Sequence, residues 1–343
     1  MKKRSTRSAK NTKRAAAPLI TDVPTLMQKA QENIDKLEWD NALIYLKQAL
    51  NMEPDNINVI DTTASALMEV GNAEDAFPLL VKSAQMDPEH NFEKWMNLGQ
   101  LQNGNDAVTC YRKGIQLLEN ELSGMPDGED KQMLLNRLCG AYCSVGELYM
   151  TDLCEEEGAE QNCEGCITHG LSLCPNSVEG LVMLASCRMS QCRFDEAESI
   201  LMRVNEIIAS IDTTNDMLPA YDVRLFAGKM LLELDNDDSC RDRCEAAVNL
   251  FDQLLLEDDQ NDELLFLMAT AHFNLQSYSM GIEFATELEK RVKKALKQHP
   301  DVPELQAQMA EVQRLLKDLR EGLAAHPEAD KLEGTPDQGM EQE

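Results

Sequence analysis

The sequence predicts an all-α fold, a right-handed superhelical solenoid of about seven helix pairs that ends in a capping helix. Aromatic residues make up only 5% of the 343-residue chain, whereas the helix-favouring residues Ala, Leu, Met, Glu and Gln are abundant. Pro54 and Pro88 lie 34 residues apart, and each follows an apolar run with the spacing of a helix. A fixed period of this length is typical of helical repeat proteins.

The repeat matches the tetratricopeptide (TPR) pattern, in which each 34-residue unit consists of a first and a second helix. Unit one is expected to begin near Val23, unit two near Ile57 and unit five near Val178. Small, large, small and proline positions recur in order along the second helices, as Ala42, Leu46, Ala49 and Pro54 in unit one and Ala76, Leu80, Ser83 and Pro88 in unit two. Small residues let two helices approach closely, and the large ones fill the space between neighbouring pairs.

The remaining units are less regular. Trp95, Leu98 and Gly99 form the W-x-x-L-G signature of unit three, and its second helix begins early, at Ala107. A polar loop over 122–130 and a helix over 131–143 precede unit four, which is expected to run from Ser144 to Pro175. Units six and seven are expected over about 221–259 and 262–290, with about seven additional residues around 235–238 in unit six. Apolar residues at helical spacing over 302–324 predict the capping helix.

The charge of the chain divides it into a basic tail and an acidic body. The chain holds 61 acidic and 32 basic residues, a net charge of -29, yet residues 2–14 hold seven basic residues and no acidic one. We therefore expect a basic disordered tail over 1–20, the TPR solenoid over 21–324 and a polar disordered tail over 325–343. The acidic body should repel nucleic acids and anionic membranes and attract basic proteins. We expect a protein partner, without direct binding to nucleic acid or membrane.

The basic tail resembles a bipartite nuclear import signal. Its two clusters are Lys2, Lys3 and Arg4, followed by Lys13 and Arg14. The tail would then bind a nuclear import receptor, and the protein would be found in the cytoplasm and the nucleus. Two alternatives stay open: the tail only aids solubility, or it occupies the acidic groove when no partner is bound. The sequence shows no secretory signal and no apolar run long enough to span a membrane.

The first helices of a TPR array line a concave groove, which is the expected binding surface. The second, fifth, ninth, twelfth and thirteenth residues of each unit face it. The candidate partner-binding residues at these positions are Asp35, Asp61, Met68, Glu69, Glu93, Met96, Leu148, Asp152, Glu155, Glu156, Glu179, Met189, Glu263 and Phe266. Carboxylates interleaved with Met and Phe suit an extended basic segment, because Lys and Arg stems can lie on the apolar side chains. The alternative is that so acidic a chain places carboxylates on every face.

The sequence offers no chemistry for catalysis. The five histidines are scattered, and none falls in a nucleophile motif with a cysteine or serine. Cys163 and Cys166 have the C-x-x-C spacing, but a structural zinc site needs a second such pair, and Cys163 falls on a small-residue position of the repeat. We expect no enzyme activity, no catalytic residues, no cofactor and no metal, and the eleven cysteines are expected as reduced thiols.

Four segments carry a resemblance to a known family. They are EKWMNLGQL (93–101), AVTCYRKGIQLL (107–118), CSVGELYMTDLCEEEGAEQNCEG (143–165) and LASCRMSQCRFDEAESIL (184–201). With these segments the chain resembles, over about 25–325, the assembly chaperones of the large-subunit ribosomal protein uL4. The resemblance implies a dedicated chaperone that holds newly made uL4, shields its basic extended loop and escorts it to the nucleus for pre-60S assembly. We expect a monomer in a 1:1 complex.

Three other functions are alternatives to this one, and the first, an enzyme with a cysteine-based site, lacks a recognisable nucleophile motif. A TPR clamp for acidic peptides needs basic groove residues, but units one and two supply Asp35 and Asp61 instead. A scaffold subunit of a multi-protein complex fits the fold equally well. The cysteine-rich stretch 139–192 has no role in the chaperone, clamp or scaffold interpretation.

Overall fold

The computed structural model describes residues 22–211, 218–234 and 240–327, and these ranges are helical apart from the connecting turns. The helices are α1 (Val23–Ile34), α2 (Trp39–Met52), α3 (Ile57–Glu69), α4 (Ala73–Met86), α5 (Phe92–Gln100), α6 (Gly104–Leu122), α7 (Glu129–Met150), α8 (Ala159–Leu173), α9 (Val178–Ser190), α10 (Phe194–Ala209), α11 (Tyr221–Glu233), α12 (Cys240–Glu257), α13 (Asp262–Asn274), α14 (Tyr278–Gln298) and α15 (Pro303–Ala325). The basic tail, nearly all of the polar tail and the segment expected to carry additional residues lie outside the described residues.

The chain divides into two compact units, residues 1–117 and 118–343, and each is described by itself. In the first unit α1 packs on α2 and α3 on α4, and α5 follows against α3 and α4. In the second unit four pairs follow one another, α7 with α8, α9 with α10, α11 with α12 and α13 with α14. The last helix, α15, packs on α14 and α13. Consecutive helices thus pack in pairs along the chain, which confirms the predicted all-α repeat fold.

Polar caps set the beginnings of the repeats. The Asp22 carboxylate accepts a hydrogen bond from the Thr25 backbone N–H at 2.8 Å, so that α1 begins at Val23 as predicted. Asn56 and Ser177 cap α3 and α9 in the same way, and these helices begin at Ile57 and Val178. A capping side chain satisfies backbone N–H groups that the first turn of a helix leaves unpaired. The starts of units one, two and five are therefore confirmed.

The eighth residue of each first helix is small because an aromatic or aliphatic side chain of the second helix packs directly on it. A Cβ placed at Gly228 of α11 would lie 2.8 Å from Cζ of Phe251, which is fully buried in α12. Gly99 of α5 faces Tyr111 of α6 at the same distance. In the other units alanine fills this position with no exposed surface, as Ala30, Ala64, Ala185 and Ala269. This close approach is the structural basis of the repeat.

The first helix of unit four differs from the prediction. Helix α7 runs from Glu129 to Met150 without a break, and Gly146 packs on Ile167 of α8 as Gly99 packs on Tyr111. Counting back seven residues from Gly146 places the start of this unit at Cys139. The expected start at Ser144 was wrong.

The second helix of unit four keeps the predicted register, with Cys163 and Ile167 buried and Pro175 just after its end. With its start at Cys139, unit four is five residues longer than the 34-residue repeat, and the additional residues lie in a long turn over 151–158, between α7 and α8. The prediction failed because the proline and the small-residue position fix the second helix alone. The residue pattern does not indicate the length of the turn between the first and the second helix of this unit.

Helix α15 closes the described chain, as the apolar spacing of 302–324 predicted. Val312, Leu316 and Leu319 are buried, and they belong to one apolar cluster with Leu265, Ala269 and Leu288 of the preceding pair. In the described ranges, no helix combines the length and the apolar character that crossing a membrane requires.

Candidate protein-binding surfaces on the first helices

In the first unit, the predicted groove positions combine exposed acids with half-buried methionines. Asp35 lies at the end of α1, exposed, and its carboxylate accepts a hydrogen bond from Gln31 Nε2 at 2.8 Å. Glu69 ends α3 and is exposed, whereas Met68 and Met96 are half-buried beside the apolar core. The half-buried Glu93 already interacts with another group of the protein. Asp61 differs from these residues, because its carboxylate pairs with a buried ammonium group of the protein.

Asp61 forms part of an internal ion pair. Its carboxylate accepts hydrogen bonds from Ser83 Oγ and from Asn91 Nδ2, and its Oδ2 lies 3.9 Å from Lys94 Nζ. The Lys94 side chain has no exposed surface, and its ammonium also donates to Ser83 Oγ at 2.9 Å. A buried ammonium needs a nearby negative charge. Asp61 therefore supplies the counter-charge that lets α5 pack on α3 and α4.

In the second unit, the groove positions of α9, α11 and α13 form a surface that we call the α9–α13 surface. Its exposed acids lie near the helix ends: Glu179 in α9, Asp222 and Glu233 in α11, and Glu263 in α13. Groove positions of α9 and α13 also hold half-buried apolar side chains, Met189, Phe266 and Phe273. Helices α9 and α11 pack against each other, which makes the surface continuous across these two repeats.

Asp222 and Glu233 belong to the α9–α13 surface but were not among the residues predicted from the sequence, and the predicted residue Glu263 forms an ion pair within the protein. Asp222 and Glu233 occupy the second and thirteenth positions counted from Tyr221, so the repeat register itself could have found them. Lys229 Nζ lies 2.6 Å from Glu263 Oε1 and connects α11 to α13. The α9–α13 surface therefore carries one cation among its carboxylates, and Glu263 has a partner within the protein.

Three predicted groove residues lie on the long turn instead of on a first helix. Asp152, Glu155 and Glu156 are exposed in the turn over 151–158, beyond the end of α7 at Met150. Their expected place on the first helix was wrong, because it was counted from Ser144. Leu148 does lie on α7 and is half-buried. The contact of these residues with a partner stays a prediction.

Buried arginines hold the helix pairs of the second unit together. Arg224 of α11 forms two hydrogen bonds with the Glu257 carboxylate of α12, at 2.7 and 2.8 Å, and its Nε donates to the Pro219 carbonyl. These bonds hold the pKa of Glu257 below its usual range. Arg243 reaches Glu198 of α10 at 2.8 Å in the same way. The residue pattern does not reveal that these two arginines are buried, because their carboxylate partners lie more than thirty positions away in the sequence.

Most of the eleven cysteines pack as small apolar side chains. Seven of them are buried, including Cys163 at the small-residue position of α8. Within the described residues, no three His, Cys, Asp or Glu side chains are arranged to hold a metal ion.

Comparison with known proteins identifies the family. No family profile matches the chain. A protein of Schizosaccharomyces pombe named "Probable assembly chaperone of rpl4" is 32% identical over 275 residues, which cover 77% of this chain and 78% of that protein. A protein of the same name from Emericella nidulans is 27% identical over 72% of this chain, and the match spans 63% of its own length.

Solved structures share the fold. The structure described as the assembly chaperone of RpL4 (Acl4) matches 74% of this chain and 97% of its own, with a TM-score of 0.65 at 22% identity. The Cut9–Hcn1 complex of the APC/C matches 84% of this chain and 48% of its own, with a TM-score of 0.53 at 12% identity. Both likenesses confirm the all-α TPR-type solenoid. The Schizosaccharomyces pombe relative, at 32% identity over 77% of this chain, shows that the chain belongs to the family of assembly chaperones of rpl4.

Proposed function

We propose that this protein is a dedicated chaperone of the ribosomal protein uL4, which binds a basic extended loop of newly made uL4 on its acidic first-helix surfaces. The observation that carries the proposal is membership of the family of assembly chaperones of rpl4, supported by 32% identity over 77% of the chain. The proposal adds a binding surface, a ligand segment and a destination to that family role.

The charge of the protein supports a basic ligand. With a net charge of -29, the chain attracts cationic segments over a range that ionic strength controls. On the α9–α13 surface, Glu179, Asp222 and Glu233 can pair with Lys or Arg heads, while Met189 and Phe266 provide apolar contact for their stems. Ribosomal RNA, a denser polyanion, would compete for the same basic segment and could release it during assembly.

The proposal also covers the stoichiometry of the complex with uL4 and its transport to the nucleus. We infer a monomer in a 1:1 complex with uL4, acting by binding alone, without a catalytic group or a cofactor. The cluster Lys2, Lys3 and Arg4 with Lys13 and Arg14 would engage an import receptor, so that the complex moves from the cytoplasm to the nucleus. Deleting residues 2–14 should abolish nuclear accumulation of a fluorescent fusion. Unchanged nuclear accumulation of the deletion variant would refute the import role.

Binding to purified uL4 tests the proposal. The full-length protein is titrated with uL4 and with uL4 that lacks its basic loop, at 50 and 300 mM salt, and complex formation is followed by size-exclusion chromatography with light scattering. We expect a 1:1 complex with intact uL4 only, and an affinity that falls at least tenfold at the higher salt. Equal binding of the loopless protein would refute the loop as the ligand. Absence of any complex, or recovery only in a large salt-resistant assembly, would favour the scaffold alternative.

A further inference from the structure

A surface pocket lined by cysteines lies at the junction of units four and five. It has a volume of about 440 Å³ and opens between the end of α7, the long turn, α8 and the end of α9. Its walls include four cysteines, the buried Cys163 and Cys187 and the exposed Cys154 and Cys192. Met150 and Ser190, which occupy groove positions, also line the pocket, but none of the predicted partner-binding residues does, so the uL4 proposal assigns no role to the four cysteines.

Two of these thiols are in direct contact. The Cys163 thiol donates a hydrogen bond to Cys187 Sγ, with 3.7 Å between the sulfur atoms. Cys163 lies on α8 and Cys187 on α9, so the pair joins consecutive repeats. A disulfide requires a sulfur separation near 2.05 Å, so the two sulfur atoms must approach each other by roughly 1.6 Å.

Cys240 and Cys244 form a second pair of neighbouring thiols, with which the Cys163–Cys187 pair can be compared. Their sulfur atoms are 3.8 Å apart, nearly the same separation, but both residues belong to α12, one turn apart. The fixed backbone of one helix directs both Cβ atoms toward the same side, which resists the dihedral angle that a disulfide needs.

The charges around the pair distinguish the two thiols. The hydrogen bond from Cys163 and the neighbouring Arg188 guanidinium lower the pKa of Cys187 to about 7, against the opposing effects of burial and of Glu164 and Glu160. The same hydrogen bond and burial raise the pKa of Cys163. Because the thiolate is the nucleophile in thiol chemistry, Cys187 is the thiol that attacks first.

We propose that Cys187 is a modification site for small-molecule disulfides, and that Cys163 resolves the adduct into a Cys163–Cys187 disulfide between α8 and α9. In the first step, the Cys187 thiolate attacks one sulfur of the small disulfide, forms a mixed disulfide and releases one small thiolate. In the second step, the Cys163 thiol loses its proton and attacks Cys187 Sγ, and the second small thiolate leaves and is protonated. The two protein thiols are oxidised, and the small disulfide is reduced to two thiols.

The new bond would fasten one repeat to the next. It closes a loop of 24 residues between positions 163 and 187, which removes conformational freedom from the unfolded chain. We expect the thermal midpoint to rise by about 5 °C on oxidation and to return after treatment with a reducing agent. Neither Cys163 nor Cys187 is among the residues proposed to bind uL4, so the disulfide can be tested without uL4.

The test uses the full-length protein and oxidised glutathione as the small disulfide. After incubation, remaining thiols are trapped with an alkylating reagent, the protein is cleaved with trypsin and a glutamate-specific protease, and unreduced peptides are analysed by mass spectrometry. Double cleavage separates Cys163, Cys187 and Cys192 into the peptides 161–164, 180–188 and 189–193. We expect a linked peptide pair joining 161–164 to 180–188, in yield well above any bond between Cys240 and Cys244.

Two variants separate the roles of the thiols. In Cys163→Ser, the glutathione adduct should persist on Cys187, because the resolving thiol is gone. The matched variant Cys240→Ser should form the linked pair as the wild type does. Adducts confined to the exposed Cys154 and Cys192, with no linked pair in the wild-type protein, would overturn the proposal. So would an unmodified Cys187 in Cys163→Ser, or equal bond formation at Cys240 and Cys244.

Discussion

Replacement of Gly228 by alanine tests the packing rule on which the repeat assignment depends. In an open helical position, exchange of glycine for alanine stabilises a protein by about 1 kcal/mol, because alanine loses less backbone freedom on folding. At Gly228, however, the new methyl group would lie 2.8 Å from Cζ of Phe251, a ring with no exposed surface. Overpacking of this kind costs about 3 kcal/mol when a buried ring cannot move aside. The net expectation is a loss of about 2 kcal/mol in the free energy of unfolding.

The matched control is Gly165→Ala in α8, where nothing lies within 4 Å of the added Cβ. This variant should gain about 1 kcal/mol, so the two substitutions are expected to have opposite signs. Both are measured by urea denaturation, followed by circular dichroism at the helical band. The double variant Gly228→Ala with Phe251→Leu should recover at least 1 kcal/mol relative to the sum of the single effects. A stabilised Gly228→Ala variant, or additive behaviour in the double variant, would refute the packing argument.

Two further predictions concern the internal ion pairs. Asp61→Asn should lower the free energy of unfolding by about 2 kcal/mol, because the buried Lys94 ammonium loses its counter-charge. In the same denaturation assay, Glu69→Gln on the exposed end of α3 should change it by less than about 0.5 kcal/mol. Equal effects of the two substitutions would contradict the structural role of Asp61. The folded-state pKa of Glu257 is depressed, so its bond with Arg224 contributes stability above the unfolded pKa of a glutamate, and this contribution is lost as pH falls through the folded pKa. The thermal midpoint of Arg224→Met, measured between pH 3 and 6, should therefore fall less steeply with decreasing pH than that of the wild-type protein. An equal fall in both proteins would show that the Arg224–Glu257 bond does not cause this pH dependence.

The repeat register could be read from the sequence where a cap, a small residue and a proline agree. In units one and two these features fix both helices. In unit five the proline is missing, but the cap and the small residues suffice, and α1, α3 and α9 begin where the pattern predicts. In unit four they fix only the second helix. The turn over 151–158 is set by chain connectivity and carries no periodic signal, so Asp152 and its neighbours were assigned to a helix that ends before them.

The candidate surface was harder to predict than the fold, because a residue type does not reveal its partner. Glu69 and Asp61 occupy equivalent-looking acidic positions, yet Glu69 is exposed and Asp61 holds Lys94. Lys94 itself reads as a surface lysine beside Trp95, and only the packing of α5 shows that it is buried. Pairing of this kind depends on contacts between helices about thirty residues apart, which a local pattern does not contain.

We propose that acids on the first helices, and not the net charge alone, bind the basic loop of uL4. The direct measurement compares the Kd of that loop peptide for two double variants of equal net charge. Glu179→Gln with Glu233→Gln neutralises exposed acids of the α9–α13 surface, whereas Glu206→Gln with Glu283→Gln neutralises exposed acids of the second helices α10 and α14. Two exposed charge pairs contribute roughly 1 kcal/mol together, so the first variant should raise the Kd about fivefold and the second should leave it nearly unchanged. Equal weakening by both variants would contradict the claim and leave only long-range attraction.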